Sequence, residues 1–562
     1  MSLLVKMTEN ELRVRLMEAV GRAVANGELP ACEMPAFNIE VPANKNNGDF
    51  SANIAMAGAR AFHMAPVKIA ECIVKHLDLQ DTDFERCEIA GAGFLNFFLG
   101  NSFYAKIVDD VLKKGDDYGK SDYGASKRYL VEFVSANPTG PMHIGNARGG
   151  AIGDCLASVL SWAGFEVERE FYINDAGNQI EKFATSLEVR YLQRYKEGVE
   201  MPEDAYQGSD ITAHAENFSK EFGDRYVACE SQERRDALVA FALPKNIAKL
   251  EEDLLKYRIR YDNWFRESTL HKNGGVDAVV KALVESGHTY EQEGAIWFKA
   301  TDFDCDKDFV LIRSNGIPTY IVPDIAYHYN KLVTRGFDKA IDVLGADHHG
   351  YVPRMKAALS ALGIDPGRLD IVIMQMVRLV RDGEVIKASK RSGKSITLVT
   401  LLEEVPIDAA RFFFNLREAN SHFDFDLDLA VQQTSQNPVY YVQYAHARIC
   451  SIIKKLENDG VKLRTPGERE LMLLTAPEEK DLIRHLSNLT DEIILSAKTY
   501  DPARITHYVT QLATLFHKFY NSCRVAVDDE GLMQARLALC RCVKNVIFNI
   551  LTMFRIDAPE SM

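Results

Sequence analysis

His143 sits among small residues in FVSANPTGPMHIGNARGG, the stretch from Phe133 to Gly150, where an apolar, strand-like run gives way to a helical pattern. A helix N-terminus placed after a parallel strand suits an anion, because its first backbone N–H groups are unpaired and carry partial positive charge. Gly145 would let a nucleotide base lie against the backbone, and His143 can donate to a phosphate oxygen. A second cluster lies in KASKRSGKS, Lys387 to Ser395, a polar loop that follows DIVIMQMVRLV. Lys387, Lys390, Arg391 and Lys394 are close enough in sequence to close on a polyphosphate and neutralise charge that builds up during phosphoryl chemistry. Each cluster has a plainer reading. An H-x-G triplet recurs by accident, and most charge runs are solvated faces.

Positioning these groups requires a scaffold, and the flanking sequence describes one. RYLVEFVSA reads as a strand, IGNARGGAIGDCLASVLSWAG as a helix closed by Gly164, and EVEREFYIND as the next strand, which is half of a doubly wound α/β fold. A mostly helical stretch interrupts the pattern before strands return at FVLIR, PTYIV, AIDVLGAD and DIVIMQMV, so one nucleotide-binding fold is split by an insertion. From Ile407 onward only helical patterns are expected, with Asn437 and Pro438 as N-cap and first turn of PVYYVQYAHARICSIIKKL. Ahead of the α/β unit, an amphipathic helix, the strands FNIEV and GFLNFFL and a helix over VKIAECIVKHL form a small α+β domain. The expected division is 1–115 for that domain, 116–127 for a Gly- and Asp-rich linker, 128–404 for the split Rossmann-like domain with its helical insertion at about 186–300, and 405–562 for an all-α domain.

Composition agrees with a multidomain globular chain. Its 562 residues suggest roughly three or four domains, and 47% hydrophobic with 26% charged residues is ordinary. No apolar run approaches the about 18 residues of a membrane span, and the first residues carry charges throughout, so a cytoplasmic protein without a membrane partner is expected. The 10 cysteines are scattered without a C-x-x-C pair, which predicts reduced thiols and no metal centre. A net charge of -14 argues against indiscriminate nucleic-acid binding while leaving room for local basic faces.

Taken together, HIGN (His143 to Asn146) and KASKR (Lys387 to Arg391) resemble the HIGH and KMSKS signatures of class I aminoacyl-tRNA synthetases. The finer pattern is similar to arginyl-tRNA synthetases of bacterial type. It is carried by GDFSANIAMAGAR, VEFVSANPTGPMHIGNARGGAIGD, FYINDAGNQI, YIVPDIAYH, LGADHHGY, DAARFFF and NPVYYVQYAHARI, which span nearly the whole chain. The resemblance implies a HUP-type catalytic domain, an N-terminal domain that meets the tRNA elbow and a DALR-type anticodon-binding domain. It implies ATP-dependent activation of L-arginine, with Mg2+ arriving on ATP, and transfer to the terminal adenosine of tRNA(Arg) by a monomer whose first step requires tRNA. The signature stretch Ala136, Asn137, Pro138, Thr139, Gly140, Pro141, Met142, His143, Ile144, Gly145 and Asn146 would frame the site. Catalysis is implied for His143, Asn146, Lys387 and Lys390, and ATP contacts for these together with Gly145, Asp347, Gln375 and Met376. Arginine would be held by Glu132, Ser135, Asn137, Asn146, Glu267, Tyr320, Asp324 and His348. A guanidinium is best met by carboxylates, here Asp324 and Glu267.

Asn146 replaces the second histidine of HIGH, and an amide cannot titrate. Ala388 replaces the methionine of KMSKS. Gly140 stands where some relatives carry a lysine that substitutes for a missing one in the KMSKS loop, and Lys390 makes such a substitute unnecessary. Tyr441, Tyr444, His446 and Arg448 could stack on bases, with core packing the equal alternative. A synthetase for another amino acid, a nucleotidyltransferase with the same signature, and a non-catalytic tRNA-binding protein remain alternatives.

Overall fold

Strand β1 (Arg128–Phe133) ends in a buried run because parallel strands flank both its edges and a helix covers it. That helix, α1 (Ile144–Trp162), lies close: a Cβ on Gly153 would stand 2.2 Å from Phe133 Cγ, and one on Gly150 2.8 Å from Ile259 Cδ1. Larger residues would lift α1, and with it His143, off the sheet. The chain then lays down β2 (Glu166–Ile173), β3 (Asn263–Arg266), α2 (Ile321–Tyr329), β4 (Lys339–Gly345) and β5 (Leu369–Met374). The five strands run in the order β5-β4-β1-β2-β3, each pair parallel. Because β2 and β4 lie on opposite sides of β1, the β1/β4 boundary is a topological switch point, where a crevice opens beyond the carboxyl ends of the strands. The computed structural model describes residues 3–42, 44–203, 205–348, 350–386 and 396–562. Lys387 and Lys390 therefore lie outside the described residues.

The structure corrects several expectations. FVLIR does form a strand, Phe309–Ile312, but in a separate antiparallel sheet with Thr289–Gln292 and Ala295–Phe298. PTYIV is not a strand: Tyr320 already has helical angles and α2 starts at Ile321, with Pro323 in the first turn, where its missing N–H costs no hydrogen bond. The segment expected as a helical insertion at about 186–300 contains the helices Ser209–Phe222 and Ser231–Lys256. It also supplies β3, the fifth strand of the main sheet, from only four residues, too few for periodicity to reveal. Past Ile407 one short strand remains, Phe423–Asp426, pairing in parallel with Val377–Arg381.

The stretch read as a linker, 116–127, is packed rather than loose. Tyr118 is buried and its hydroxyl donates to the Leu486 carbonyl at 3.0 Å, while Gly124 N donates to the Ala163 carbonyl at 2.8 Å. The N-terminal sheet and helices are thereby joined to the helical domain, a contact reinforced by Arg484 with Asp49 and Tyr104. In the helical domain Asn437 caps Pro438–Asn458, accepting from Tyr440 N at 3.4 Å. His446 on that helix is buried against the Pro559 carbonyl at 2.8 Å, whereas Tyr444 is exposed beside Arg448. Among the described residues no helix is long and apolar enough to cross a membrane.

The helical domain grips α1 through buried charge. Asp154 on α1 and Arg411 are both fully buried and paired, and Arg169 Nε (3.0 Å) and Arg555 (3.4 Å) also face Asp154. Asp154→Ala leaves the Arg411 guanidinium without its carboxylate and is expected to cost about 3–5 kcal/mol. Arg411→Met should cost less, since Arg169 and Arg555 still face Asp154. Urea unfolding of the two variants checks that order, and the reverse order would contradict it.

Candidate active site

The crevice at the switch point is a cavity of about 1130 Å³. One wall begins where β1 ends. Val134 (φ 69°) and Ser135 (φ 38°) both adopt left-handed angles, which non-glycine residues rarely hold and which cost about 1–3 kcal/mol each. This turn aims Ser135 Oγ back at Glu132, donating to Oε1 at 2.7 Å and accepting from Tyr172 N at 3.1 Å. Ala136, Asn137, Thr139, Gly140 and Pro141 continue along the wall, while Pro138 and Met142 lie behind it. The Pro138 carbonyl accepts from Asn246 Nδ2 of the inserted helices at 2.9 Å, which fixes the loop from outside.

At the mouth, His143 is the N-cap of α1. Its Nδ1 accepts from Gly145 N at 3.1 Å, and the Asn146 side-chain oxygen accepts from His143 N at 3.0 Å. The reciprocal pair is a capping box. A bond into Nδ1 leaves the proton of neutral imidazole on Nε2, so His143 can donate a hydrogen bond at Nε2 without carrying charge. Partial burial holds the imidazole below its ordinary value, which favours that neutral form. Gly145 has a further reason to be glycine: a Cβ there would meet His143 Cε1 at 2.9 Å and Nδ1 at 3.1 Å. Asn146, whose role the sequence left open, uses its oxygen to hold the helix start. Ile144 also lines the cavity; its N donates to the Ile396 carbonyl (3.1 Å), and Leu398 N donates to the Met142 carbonyl (2.9 Å). Ile396 and Leu398 are thus fastened beside His143. Asp347, His348, Gln375 and Met376 form the opposite rim, with Arg148 of α1 donating to the Gln375 carbonyl at 2.7 Å.

The floor is acidic. Asp324, in the first turn of α2, lines the cavity with no cation within ion-pair distance among the described residues. Burial pushes its carboxyl up to about 7; His328 and Lys331 oppose the rise, while Glu267 and Glu132 add to it. Glu267 does not reach the cavity. It accepts from the Tyr172 hydroxyl at 2.9 Å, faces His271 at 3.3 Å, and acts through Tyr172, whose ring does line the wall. Tyr320 does not join them either. It lies outside the cavity wall and is 59% exposed, because it precedes the first residue of α2 rather than ending a strand over the site.

Glu132, His328 and Asp342 line the cavity as well, and they belong to a network of which sequence reading found only Glu132. Glu132 and Asp342 are register partners on β1 and β4, and Lys331, wholly buried, donates to Glu132 Oε2 at 2.6 Å and to Asp342 Oδ1 at 2.8 Å. His328 bridges the Asp324 carbonyl and Asp342 Oδ2, each at 2.7 Å. Both partners offer acceptor oxygens, so each ring nitrogen has a partner for a proton it carries. Burial acts to raise Asp342, but Lys331 and His328 outweigh it and hold this carboxyl well below the usual range. Glu132 stays raised by burial. Tyr327, also in the wall, donates to Glu170 at 2.6 Å. Two features hint at this network in the sequence: an acidic residue inside an apolar strand at Glu132 and another at Asp342. Among the described residues no three His, Cys, Asp or Glu side chains are grouped as metal ligands.

Three family models tile the chain: arginyl tRNA synthetase N terminal domain over residues 10–99, tRNA synthetases class I (R), catalytic domain, over 107–453, and DALR anticodon binding domain over 442–562. An arginine–tRNA ligase of Caldanaerobacter subterraneus subsp. tengcongensis is 53% identical over 559 residues, 100% of both chains. One from Ruminiclostridium cellulolyticum is 51% identical over 554 residues, 98% of each. Among solved structures, the Thermus thermophilus arginyl-tRNA synthetase aligns with a TM-score of 0.72 at 21% identity, covering 98% of this chain and 100% of that one, a likeness of fold.

If Gly145 is what lets the imidazole fold back onto its own helix, Gly145→Ala should displace His143 and return it toward the ordinary value of about 6.5. NMR titration with labelled histidine reads this directly. Equal midpoints in wild type and variant would contradict the assigned cap.

Proposed function

We propose, from the premise that this chain belongs to the class I arginyl-tRNA synthetase family and is an arginine–tRNA ligase, that its cavity divides the work between an acidic floor and a helix-capped mouth. The observation that carries the proposal is Asp324: a half-buried carboxylate with no cation within ion-pair distance among the described residues, in the same cavity as the N-terminus of α1. A guanidinium supplies the missing charge in a planar fork of donors. Glu132, Ser135, Asn137 and His348 would orient the rest of the amino acid from the walls. Glu267 would act one layer back, by holding Tyr172.

With the side chain anchored on the floor, the arginine carboxylate points toward the mouth. One of its oxygens attacks the α-phosphorus of ATP, the bond to the bridging oxygen breaks, and pyrophosphate leaves with the electron pair, giving arginyl-adenylate. The chain need supply no nucleophile or base for this step, because the attacking carboxylate is already ionised; placement and charge stabilisation carry it. His143 Nε2–H would donate to a phosphate oxygen, and the positive end of the α1 dipole adds to that field. ATP would lie along Gly145 toward Gln375 and Met376, with Asp347 at the rim. ATP brings Mg2+, which adds positive charge at the polyphosphate. Lys387 and Lys390 would neutralise the leaving pyrophosphate. In support, Ile396 is bonded beside His143, and Ile386 N is bonded to the Leu379 carbonyl at 2.8 Å. The terminal adenosine hydroxyl of tRNA then attacks the adenylate's carbonyl carbon, the bond to the phosphate oxygen breaks, and AMP leaves with the electron pair while the hydroxyl proton passes to the departing phosphate. Tyr444 and Arg448 offer an exposed stacking face for anticodon bases; His446, being buried, does not.

Arginine-dependent exchange of pyrophosphate into ATP, run with tRNA(Arg) present, tests the division. Asp324→Asn removes one partner of a desolvated charge pair, a loss of about 2–4 kcal/mol, so kcat/KM for arginine should fall on the order of 100-fold. KM for ATP should stay within about twofold. An unchanged arginine response, or a loss confined to ATP, would overturn the assignment.

A further inference from the structure

Lys331 takes no part in the steps above, yet its placement is unusually constrained. It is wholly buried. Its backbone lies in a π-helical turn, Asn330–Thr334, directly after α2, and such turns are frequent where function requires a side chain to be re-aimed. Its ammonium is clamped between Glu132 Oε2 and Asp342 Oδ1 and lies 4.1 Å from the centre of the Tyr327 ring. Stability alone explains little, since replacing a buried ion pair with apolar groups is often neutral or favourable. The cluster it completes touches the cavity: Glu132 receives the Ser135 hydroxyl on its other oxygen, and His328 ties Asp342 to the backbone of Asp324.

We propose that Lys331 is a positioning residue for arginine binding: one buried ammonium fixes Glu132 against Ser135 and satisfies Asp342, leaving Asp324 as the ionised carboxylate that takes the guanidinium. This rests on the assignment of Asp324 given above. The groups that face Asp324 come from every surrounding element. His328 is on the same helix, Lys331 on the π-turn, Glu267 behind the wall, Glu132 on β1, and Tyr172 and Tyr351 on the cavity side. His328 and Lys331 favour its charged form, and Glu267 and Glu132 oppose it. Loss of the Lys331 charge therefore makes Asp324 harder to ionise.

The test compares Lys331→Met, Lys331→Gln and Lys331→Arg in arginine-dependent pyrophosphate exchange with tRNA(Arg) present, from about pH 5.5 to 8.5. KM for arginine and for ATP are resolved separately, and thermal unfolding monitors the fold. In wild type, kcat/KM for arginine should rise with pH through a midpoint near Asp324's value of about 7. The methionine and glutamine variants should move that midpoint up by about one pH unit, roughly a tenfold loss on the acid side, with KM for ATP within about twofold. Lys331→Arg, which keeps the charge, should keep the midpoint while raising KM for arginine. A folded neutral variant with the wild-type midpoint overturns the proposal, as does an arginine variant displaced as far as the neutral ones. Should neither neutral variant fold, Lys331→Arg decides: a retained midpoint supports the proposal and a displaced one overturns it. If the wild-type profile has no midpoint that Asp324→Asn removes, the assignment of Asp324 fails instead.

Discussion

Two carboxylates on adjacent parallel strands, in register and facing the same way, form the constraint on which the rest of the site depends. Strand spacing puts the backbones of Glu132 and Asp342 about 4.8 Å apart, and one ammonium reaches an oxygen of each carboxylate, so these are two buried negative charges that cannot coexist unaided. Lys331 resolves the conflict from below and His328 from the side. Once these charges are satisfied internally, Asp324 stands as the carboxylate of the floor without a cation among the described residues. The chemistry of the pocket thus follows from the topology. The strands that carry the pair meet at the sheet's switch point, the same place where the crevice opens.

Helix α1 links this acidic floor to the phosphate end and to the distant helical domain. Its first turn is closed by His143 and Asn146, its middle is pressed onto Phe133 through Gly153, and Asp154 is held by Arg411. Arg148, fully buried, adds bonds to the carbonyls of Gln375, Glu418 and Ser421. A displacement of the helical domain therefore cannot leave the His143 end of α1 untouched, because the same rigid element carries both contacts.

What the sequence disclosed depended on whether the information was local. The strand, loop and helix around His143 were legible because turn glycines, a helix start and an alternating strand lie within a short span. β3 was not, since four residues carry no period. PTYIV misled because an apolar run reads equally as strand or helix, and only its place over the sheet decides. For the site, Glu132, Ser135, Asn137, Asp324 and His348 do come to one cavity, whereas Tyr320 faces solvent and Glu267 sits a layer behind. Lys331 and His328 escaped notice because their significance lies in partners brought together by strand register. Asn146 looked like a defect in a signature until its bond to His143 N gave it a structural role.

Asp324, half-buried and with no cation within ion-pair distance among the described residues, is the group that receives the guanidinium. A carboxyl near 7 that must ionise to bind a cation releases its proton on binding, so calorimetric titration of arginine in buffers of different ionisation heat tests the claim most directly. At pH 7 the expected release is about half a proton per arginine bound, falling toward zero as pH rises and absent in Asp324→Asn. Binding with no proton release near pH 7, or with the same release in the variant, would contradict it.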